Sequence, residues 1–322
     1  MVKQFCSSLA PHIGTFLQEK TAYGYHYVSE AAQLRRLDRF LCARQCPAGA
    51  LPRTLVESFT AKQPNERPRT HKARMLIVRQ FARYLGTRGL PAYVPDTKLT
   101  PMTKLDFAPY IFTRDQIRHI LQAVDGLPFS AHSPERHLVM PELFRLLYGC
   151  GLRAGEALRL RVEDVDLDRG VLTIRQSKFR KDRYIPVVPV LANRLRRYTE
   201  IMKLNQSHLV FFPNPWGKCY DIRTIYMAFR RTLEESGIPH GGRNKGPRLH
   251  DLRHTFAVHR LEQWYRNGDD LNARLPLLVA YLGHQSLAGT QRYLRLTPEI
   301  FPEITKRLEA FLHGLTPGGT RL

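Results

Sequence analysis

The sequence predicts a mainly α chain with a small antiparallel β-sheet, divided into a helical N-terminal domain and a larger mixed α/β domain. Three observations carry this. Apolar residues recur at the three- and four-residue spacing of one helix face through most of the chain. That period shortens once, around the turn-forming Asp168-Arg169-Gly170 and the segments Val171–Ile174 and Tyr184–Val187. Residues 91 to 109 carry Pro91, Pro95, Pro101 and Pro109 without helical period, as an extended connector would. Domains are therefore expected at residues 1–95 and 109–322, with 96–108 between them.

In the N-terminal domain, Val28, Ala31, Leu34, Leu37 and Leu41 predict a helix from Tyr27 to about Cys42. A short one follows Pro52 with Leu55, Val56 and Phe59, and a third runs from His71 to Leu85 with Met75, Val78, Ala82 and Leu85 on one side. Lys72, Arg79 and Arg83 fall on nearly one line of that third helix. Such a row reads either as a track for phosphates or as a solvated face.

The second domain opens with Thr113, whose hydroxyl caps a helix with Gln116 at its third position. Leu121 and Val124 carry that helix inward, and Glu142–Tyr148 supplies another. The strands Val171–Ile174 and Tyr184–Val187 pair through a hairpin. Further helices are expected near Ala192–Met202, Ile222–Leu233, Leu249–Trp264, Leu275–Leu282 and Pro302–Leu312.

The charge narrows the partner. Lys and Arg total 50 against 28 Asp and Glu, a formal net charge of +22, which points to a polyanion, nucleic acid ahead of an acidic membrane surface. Residues 1–107 hold 17 basic and 7 acidic side chains and residues 108–322 hold 33 and 21, so the excess is not one detachable tail. No run approaches the roughly 18 apolar residues of a membrane span, and the N-terminus lacks the apolar core of a secretory signal. A cytoplasmic, nucleoid-associated protein with no membrane partner is expected. The five cysteines form no metal-binding pattern, and no clustered carboxylates suggest a two-metal centre, so neither metal nor other cofactor is expected.

Chemistry concentrates in four segments. In YGCGLRAGEALRL, residues 148–160, Gly151 offers a tight bend, Arg153 leaves it at a helix start, and Glu156 stands three residues on. A guanidinium so placed can clamp two phosphate oxygens; alone, the segment also reads as a structural arginine with an ordinary helical glutamate. In RLHDLRHTFAVH, residues 248–259, His250 and Arg253 lie one helical turn apart, with Leu252, Phe256 and Leu261 facing inward. That pair offers a proton-exchanging group and a permanent charge to one phosphate; alone it is also a histidine-rich surface helix. In LLVAYLGHQSLAGTQRYL, residues 277–294, a short helix stops at Gly283, His284 stands at the exit and Tyr293 follows. An isolated tyrosine in such a segment is usually packing. In SKFRKDR, residues 177–183, Lys178 ends the first strand, and Arg180, Lys181 and Arg183 suit backbone contacts or a solvated turn.

Together these segments resemble the tyrosine recombinase and phage-integrase family, some members of which are carried by transposons. The likeness spans most of residues 10–312 and is strongest from Tyr148 through Tyr293. It implies an N-terminal, SAM-like core-binding domain that closes on DNA and a catalytic domain with a C-terminal helix. Arg153 with Glu156, Lys178 on the hairpin, His250 with Arg253, His284 after Leu282-Gly283, and Tyr293 nine residues later match the family's catalytic pattern. The chain departs from it in two places. Arg253 and His284 stand 31 residues apart, with Trp264 through Asp270 as extra material expected to lengthen a surface turn, and the hairpin lacks a glycine beside Lys178.

The implied activity is site-specific DNA cleavage and rejoining in integration, excision or transposition. The partners implied are duplex DNA carrying specific recombination sites, a homotetramer on two DNA segments, and a second recombinase or accessory DNA-bending protein. Two other classes share the features: a type IB-like topoisomerase, which would relax supercoils as a monomer, and a catalytically silent DNA-binding regulator.

Overall fold

The computed structural model describes residues 5–25, 27–96, 109–175, 182–204, 209–242 and 246–283. Lys178, Arg180, Lys181, His284, Tyr293 and the helix expected over Pro302–Leu312 lie outside them. The chain forms two compact units, Met1–Phe107 and Ala108–Leu322. Among the described residues, no helix is long and apolar enough to cross a membrane.

The first unit consists of α1 (Ala10–Ala22), α2 (Val28–Ala43), α3 (Arg53–Thr60) and α4 (Pro68–Thr87). The longest, α4, packs on the other three. Its apolar stripe of Val78, Phe81, Ala82 and Leu85 meets Ile13 and Phe16 of α1, Leu34, Leu37 and Leu41 of α2, and Val56 and Phe59 of α3 in one core. Helix α1 was not among the expected helices, although Leu9, Ile13, Phe16 and Leu17 follow helical spacing and Pro11 sits in the first turn, where a missing N–H costs nothing.

The proline-rich stretch begins as part of this unit, not as a free connector. Leu51 N donates to Pro91 O (2.9 Å) and Tyr93 N to Leu51 O (3.0 Å). The basic row on α4 is likewise uneven. Arg83 is exposed, whereas Lys72 and Arg79 are half-buried and the Arg79 guanidinium donates to Pro95 O. Arg79 is thus tied to the chain itself by one of its nitrogens. Arg74, on the same helix, is buried against Glu66 and the Phe59 and Ala61 carbonyls.

The second unit holds α5 (Arg114–Asp125), α6 (Arg136–Gly149), α7 (Ala154–Leu158), a three-stranded sheet, α8 (Pro189–Ile201), α9 (Ile222–Glu235), α10 (Asp251–Arg266) and α11 (Leu271–Leu282). The capping box opens α5: Thr113 Oγ1 accepts from Gln116 N at 3.1 Å, and Gln116 Oε1 from Thr113 N at 3.0 Å. Almost every residue of α6 from Val139 to Leu147 is buried, because α5, α7, α8 and α10 all pack on it. The sheet is an antiparallel meander of β1 (Val165–Asp166), β2 (Val171–Ile174) and β3 (Arg183–Pro186). Its register pairs Leu172 with Ile185 and Ile174 with Arg183, so Leu172, Ile174 and Ile185 enter the core while Arg183 stands at the hairpin end.

Two helices start earlier than their apolar pattern announces, because each holds a proline inside: Pro141 in α6 and Pro276 in α11. The material expected as a long surface turn is partly helical. Trp264, Tyr265 and Arg266 complete α10, and only residues 267–270 connect it to α11, whose N-cap Asp270 accepts from Asn272 N at 2.8 Å. Phe256, Ala257, Val258 and Leu261 of α10 pack with Leu275, Leu278 and Leu282 of α11, and the Phe256 and Tyr281 rings stack at 5.5 Å. This cluster brings the end of α11 back over the beginning of α10.

Candidate active site

The functional side chains converge where the α6–α7 bend, β3, the start of α10 and the end of α11 meet. Gly151 makes the bend with φ +59°, and a Cβ there would lie 2.4 Å from Phe256 Cδ1, so the position is closed to any other residue without repacking. Two residues on, Arg153 takes the extended N-cap position of α7. Glu156 accepts from Arg153 N at 3.0 Å and from Arg153 Nη1 at 2.7 Å, so one carboxylate caps the helix and orients the guanidinium.

Arg183 reaches the same carboxylate from β3, with Nη1 3.0 Å from Oε1 and Nη2 2.7 Å from Oε2. Its side chain is 10% exposed. The alternative reading of Arg183 as part of a solvated turn does not hold: β3 lies against α11, and the guanidinium meets a buried acceptor. Burial alone would raise the Glu156 carboxyl, but the Arg183 hydrogen bonds and charge and the Arg153 N–H and charge outweigh it and bring it down to about 2.

The end of α11 supplies the other half of the frame. Gly283 adopts the left-handed conformation (φ 61°, ψ 48°) and ends the helix, so its last carbonyls need donors from elsewhere. Arginines from three elements provide them. Arg183 Nε donates to Tyr281 O at 3.0 Å, Arg253 Nη2 to Leu282 O, and Arg153 Nη2 to Gly283 O at 3.1 Å. Three consecutive carbonyls at the negative end of a helix are thus matched by three permanent cations.

Arg253 is 1% exposed, and its Nη1 donates to Gly151 O at 2.7 Å, tying the bend to α10 and α11 at once. His250 is the N-cap residue of α10, one turn ahead of Arg253. The buried Asp251 fixes the turn beneath it, accepting from Arg248 N at 2.8 Å and Arg248 Nη2 at 3.0 Å. Burial lowers the His250 imidazole, and the charges of Arg253, Arg248 and Arg153 lower it further against the opposing pull of Glu156, to about 4. His250 is therefore neutral near pH 7 in this setting, not at the half-protonated point the sequence suggests. His259 has a structural role, its Nδ1 2.9 Å from Tyr148 Oη.

A sequence model described as the phage integrase family matches residues 111–299, a span holding every one of these segments. The chain belongs to the phage integrase family. As a tyrosine recombinase it cleaves and rejoins DNA at specific sites through a phosphotyrosyl intermediate. It is 34% identical to a putative integrase/recombinase of Sinorhizobium fredii, y4rB, over 77% of this chain and 81% of that one. It is 29% identical to a second from the same organism, y4rE, over 96% and 98%. The tyrosine recombinase XerA of Thermococcus kodakarensis is 29% identical over 70% of this chain and 71% of its own. Among solved structures, the site-specific recombinase XerH bound to palindromic difH shares the fold at a TM-score of 0.64 and 18% identity, covering 94% of this chain and 85% of that one.

Of the recombinase's expected catalytic residues, the structure brings Arg153, Glu156, His250 and Arg253 together; Lys178, His284 and Tyr293 fall outside the described residues. Sequence reasoning missed Arg183 and Asp251 as parts of this frame. An acidic residue in the first turn of a helix was a signal for Asp251. The carbonyls of residues 281–283 had none, since a backbone acceptor leaves no mark on residue type.

Proposed function

We propose that Tyr293 is the nucleophile of this recombinase, and that Arg153 and Arg253 bind the nonbridging oxygens of the phosphate it attacks. A phenol titrates near 10, so neighbouring cations favour the phenolate. Attack at phosphorus forms a 3′-phosphotyrosyl bond and releases a 5′-hydroxyl, with Lys178 giving the proton to that leaving oxygen. The two arginines stabilise charge that grows on the phosphorane. His250, neutral near pH 7, donates a hydrogen bond to a phosphate oxygen, and His284, the residue after Gly283 in sequence, is assigned the same oxygen cluster. The covalent bond keeps the energy of the phosphodiester, so a second strand's hydroxyl reverses the attack without nucleotide or cofactor.

The observation that carries this reading is the three-arginine frame on residues 281–283, which aims two of the assigned phosphate ligands at the chain segment leading to His284 and Tyr293. The N-terminal unit is proposed to be the core-binding domain, with Arg83 on its exposed face, and the second unit the catalytic domain. The recombinase is proposed to act as a homotetramer on two DNA segments in integration, excision or transposition, at the nucleoid; a lambda integrase tetramer bound to a Holliday junction shares the fold (TM-score 0.58, 17% identity, 86% of this chain and 77% of that one). Tyr293→Phe tests the nucleophile on a nicked duplex that traps the covalent adduct. The adduct should vanish while duplex binding persists; an undiminished adduct rejects the assignment.

A further inference from the structure

Arg183 belongs to no part of the reaction so far assigned, yet every nitrogen of its guanidinium is engaged. Nη1 and Nη2 hold both oxygens of Glu156 at 3.0 and 2.7 Å, and Nε holds Tyr281 O at 3.0 Å. Only a planar fork meets three acceptors in these directions; a lysine ammonium cannot. Both Glu156 oxygens are shared, since Arg153 Nη1 donates to Oε1 at 2.7 Å and Arg153 N to Oε2 at 3.0 Å. Glu156 is therefore a joint with Arg183 fixed on one side and Arg153 on the other. The Arg153 side chain is 26% exposed, so it faces outward from this joint, while Glu156 and Arg183 stay buried behind it.

We propose that Arg183 is a positioning residue for DNA cleavage: it locks Glu156, and through it the Arg153 guanidinium, and by its third bond holds the end of α11 in register with them. The inference rests on the assignment of Arg153 to the scissile phosphate. A phosphate ligand displaced by about 1 Å loses on the order of a hundredfold in rate, although a rotated arginine still attracts DNA.

The joint has a property that simple packing lacks. Among the described residues, the charged and titratable groups facing Glu156 are Arg153 at its own helix start, Arg183 on β3 and His250 at the start of α10, the last neutral near pH 7. Without Arg183 the carboxylate keeps its burial and loses its strongest donors, so its protonation moves up toward neutrality. A protonated Glu156 no longer accepts from both Arg153 groups, and cleavage should fall more steeply than in the wild type as pH is lowered.

The test is single-turnover cleavage of a nicked duplex bearing the recombination site, by the full chain, from pH 5.5 to 9, alongside duplex affinity and thermal unfolding. Arg183→Met should cleave about a hundredfold more slowly near pH 7 with duplex affinity retained, and should gain an acid-side titration that the wild type lacks. Adding Glu156→Gln should erase that titration and cost little more, because the two residues act through one joint. If Arg183→Met does not fold, Arg183→Lys keeps a charge in place but not the fork, and should show a new titration at lower pH than the methionine variant with a smaller rate loss. A pH profile parallel to wild type in whichever variant folds, or equal losses in affinity and cleavage, overturns the proposal. Arg153→Ala separates the premise from the inference: wild-type cleavage there removes the role of Arg153 itself, whereas an inactive Arg153→Ala beside fully active Arg183 variants removes only the role of Arg183.

Discussion

Gly151→Ala is a one-atom test of whether the bend before Arg153 is fixed by sterics. The residue sits at φ +59°, where an L side chain costs about 1–2 kcal/mol. The added Cβ would stand 2.4 Å from Phe256 Cδ1 and 2.9 Å from Cε1, inside contact distance of a ring that is 7% exposed and stacked on Tyr281. Forcing that ring aside is overpacking, at about 1–3 kcal/mol. The sum, roughly 2–5 kcal/mol, is assayed by urea or thermal unfolding. For a domain of this size each kcal/mol shifts Tm by about 2–4 °C, so a drop of at least about 4 °C is expected. Because Gly151 O accepts from Arg253 Nη1, displacement of the bend should also slow cleavage more than it weakens DNA binding. Stability within about 0.5 kcal/mol of wild type would show that the bend relaxes freely, and would refute the steric account.

Glu156→Gln removes the one negative charge between Arg153 and Arg183 while keeping its shape; leaving those cations without a buried counter-ion should cost about 3 kcal/mol in unfolding experiments and depress cleavage, and a neutral result would mean the pair is not held by charge. His250 gives a pH signature of defined sign. Its folded-state value near 4 lies below the ordinary histidine range, so the unfolded chain takes up the proton first and stability drains away as pH falls from about 6.5 to about 4. His250→Gln should lose less stability than wild type across that window and none of this difference above pH 7; superimposable curves would sink the assignment. Glu156, lowered to about 2, adds slope only at the acid end of that window and below it, since its stabilisation is lost as pH falls through the unfolded value near 4.5 toward about 2. Salt should separate recruitment from chemistry: with a net charge of +22, duplex affinity should fall steeply with ionic strength, whereas cleavage by the preformed complex should hardly change.

Regular elements with one clear apolar stripe were legible because burial writes their period into residue type. The capping pattern of Thr113 and Gln116, the Leu172 and Ile174 alternation and the α4 stripe are cases. Where two rules compete, the pattern misleads. Pro141 and Pro276 suggest helix starts, yet tertiary packing on both sides of each carries the helix through. Arg183 shows the limit more sharply. In sequence it is one of four basic residues in a polar hairpin, and nothing local separates it from Arg180 or Lys181. What distinguishes it is the register of β3, which sets it beside a carboxylate 27 residues earlier and a carbonyl 98 residues later. Such a partner set exists only after folding.

The arginine frame also explains how a chain can hold buried cations ready for a phosphate without one. An isolated buried guanidinium is costly, and here helix-end carbonyls and Glu156 meet that cost. Carbonyl oxygens are neutral acceptors, and although every one of these bonds has a charged donor, a phosphate oxygen adds a full negative charge where a carbonyl offers only a dipole, which makes its bond to a guanidinium shorter and stronger. A phosphate oxygen that reaches Arg153 or Arg253 therefore competes favourably for the same N–H groups, and the folded frame needs only a small rotation of a guanidinium to exchange a carbonyl for it. Glu156 cannot be outcompeted in that way, being charged and held by two arginines at once. On the proposed assignment of Arg153 and Arg253 to the phosphate, the division follows from acceptor strength: carbonyl bonds would open to DNA, and the carboxylate bonds would keep Arg153 and Arg183 aimed while they do.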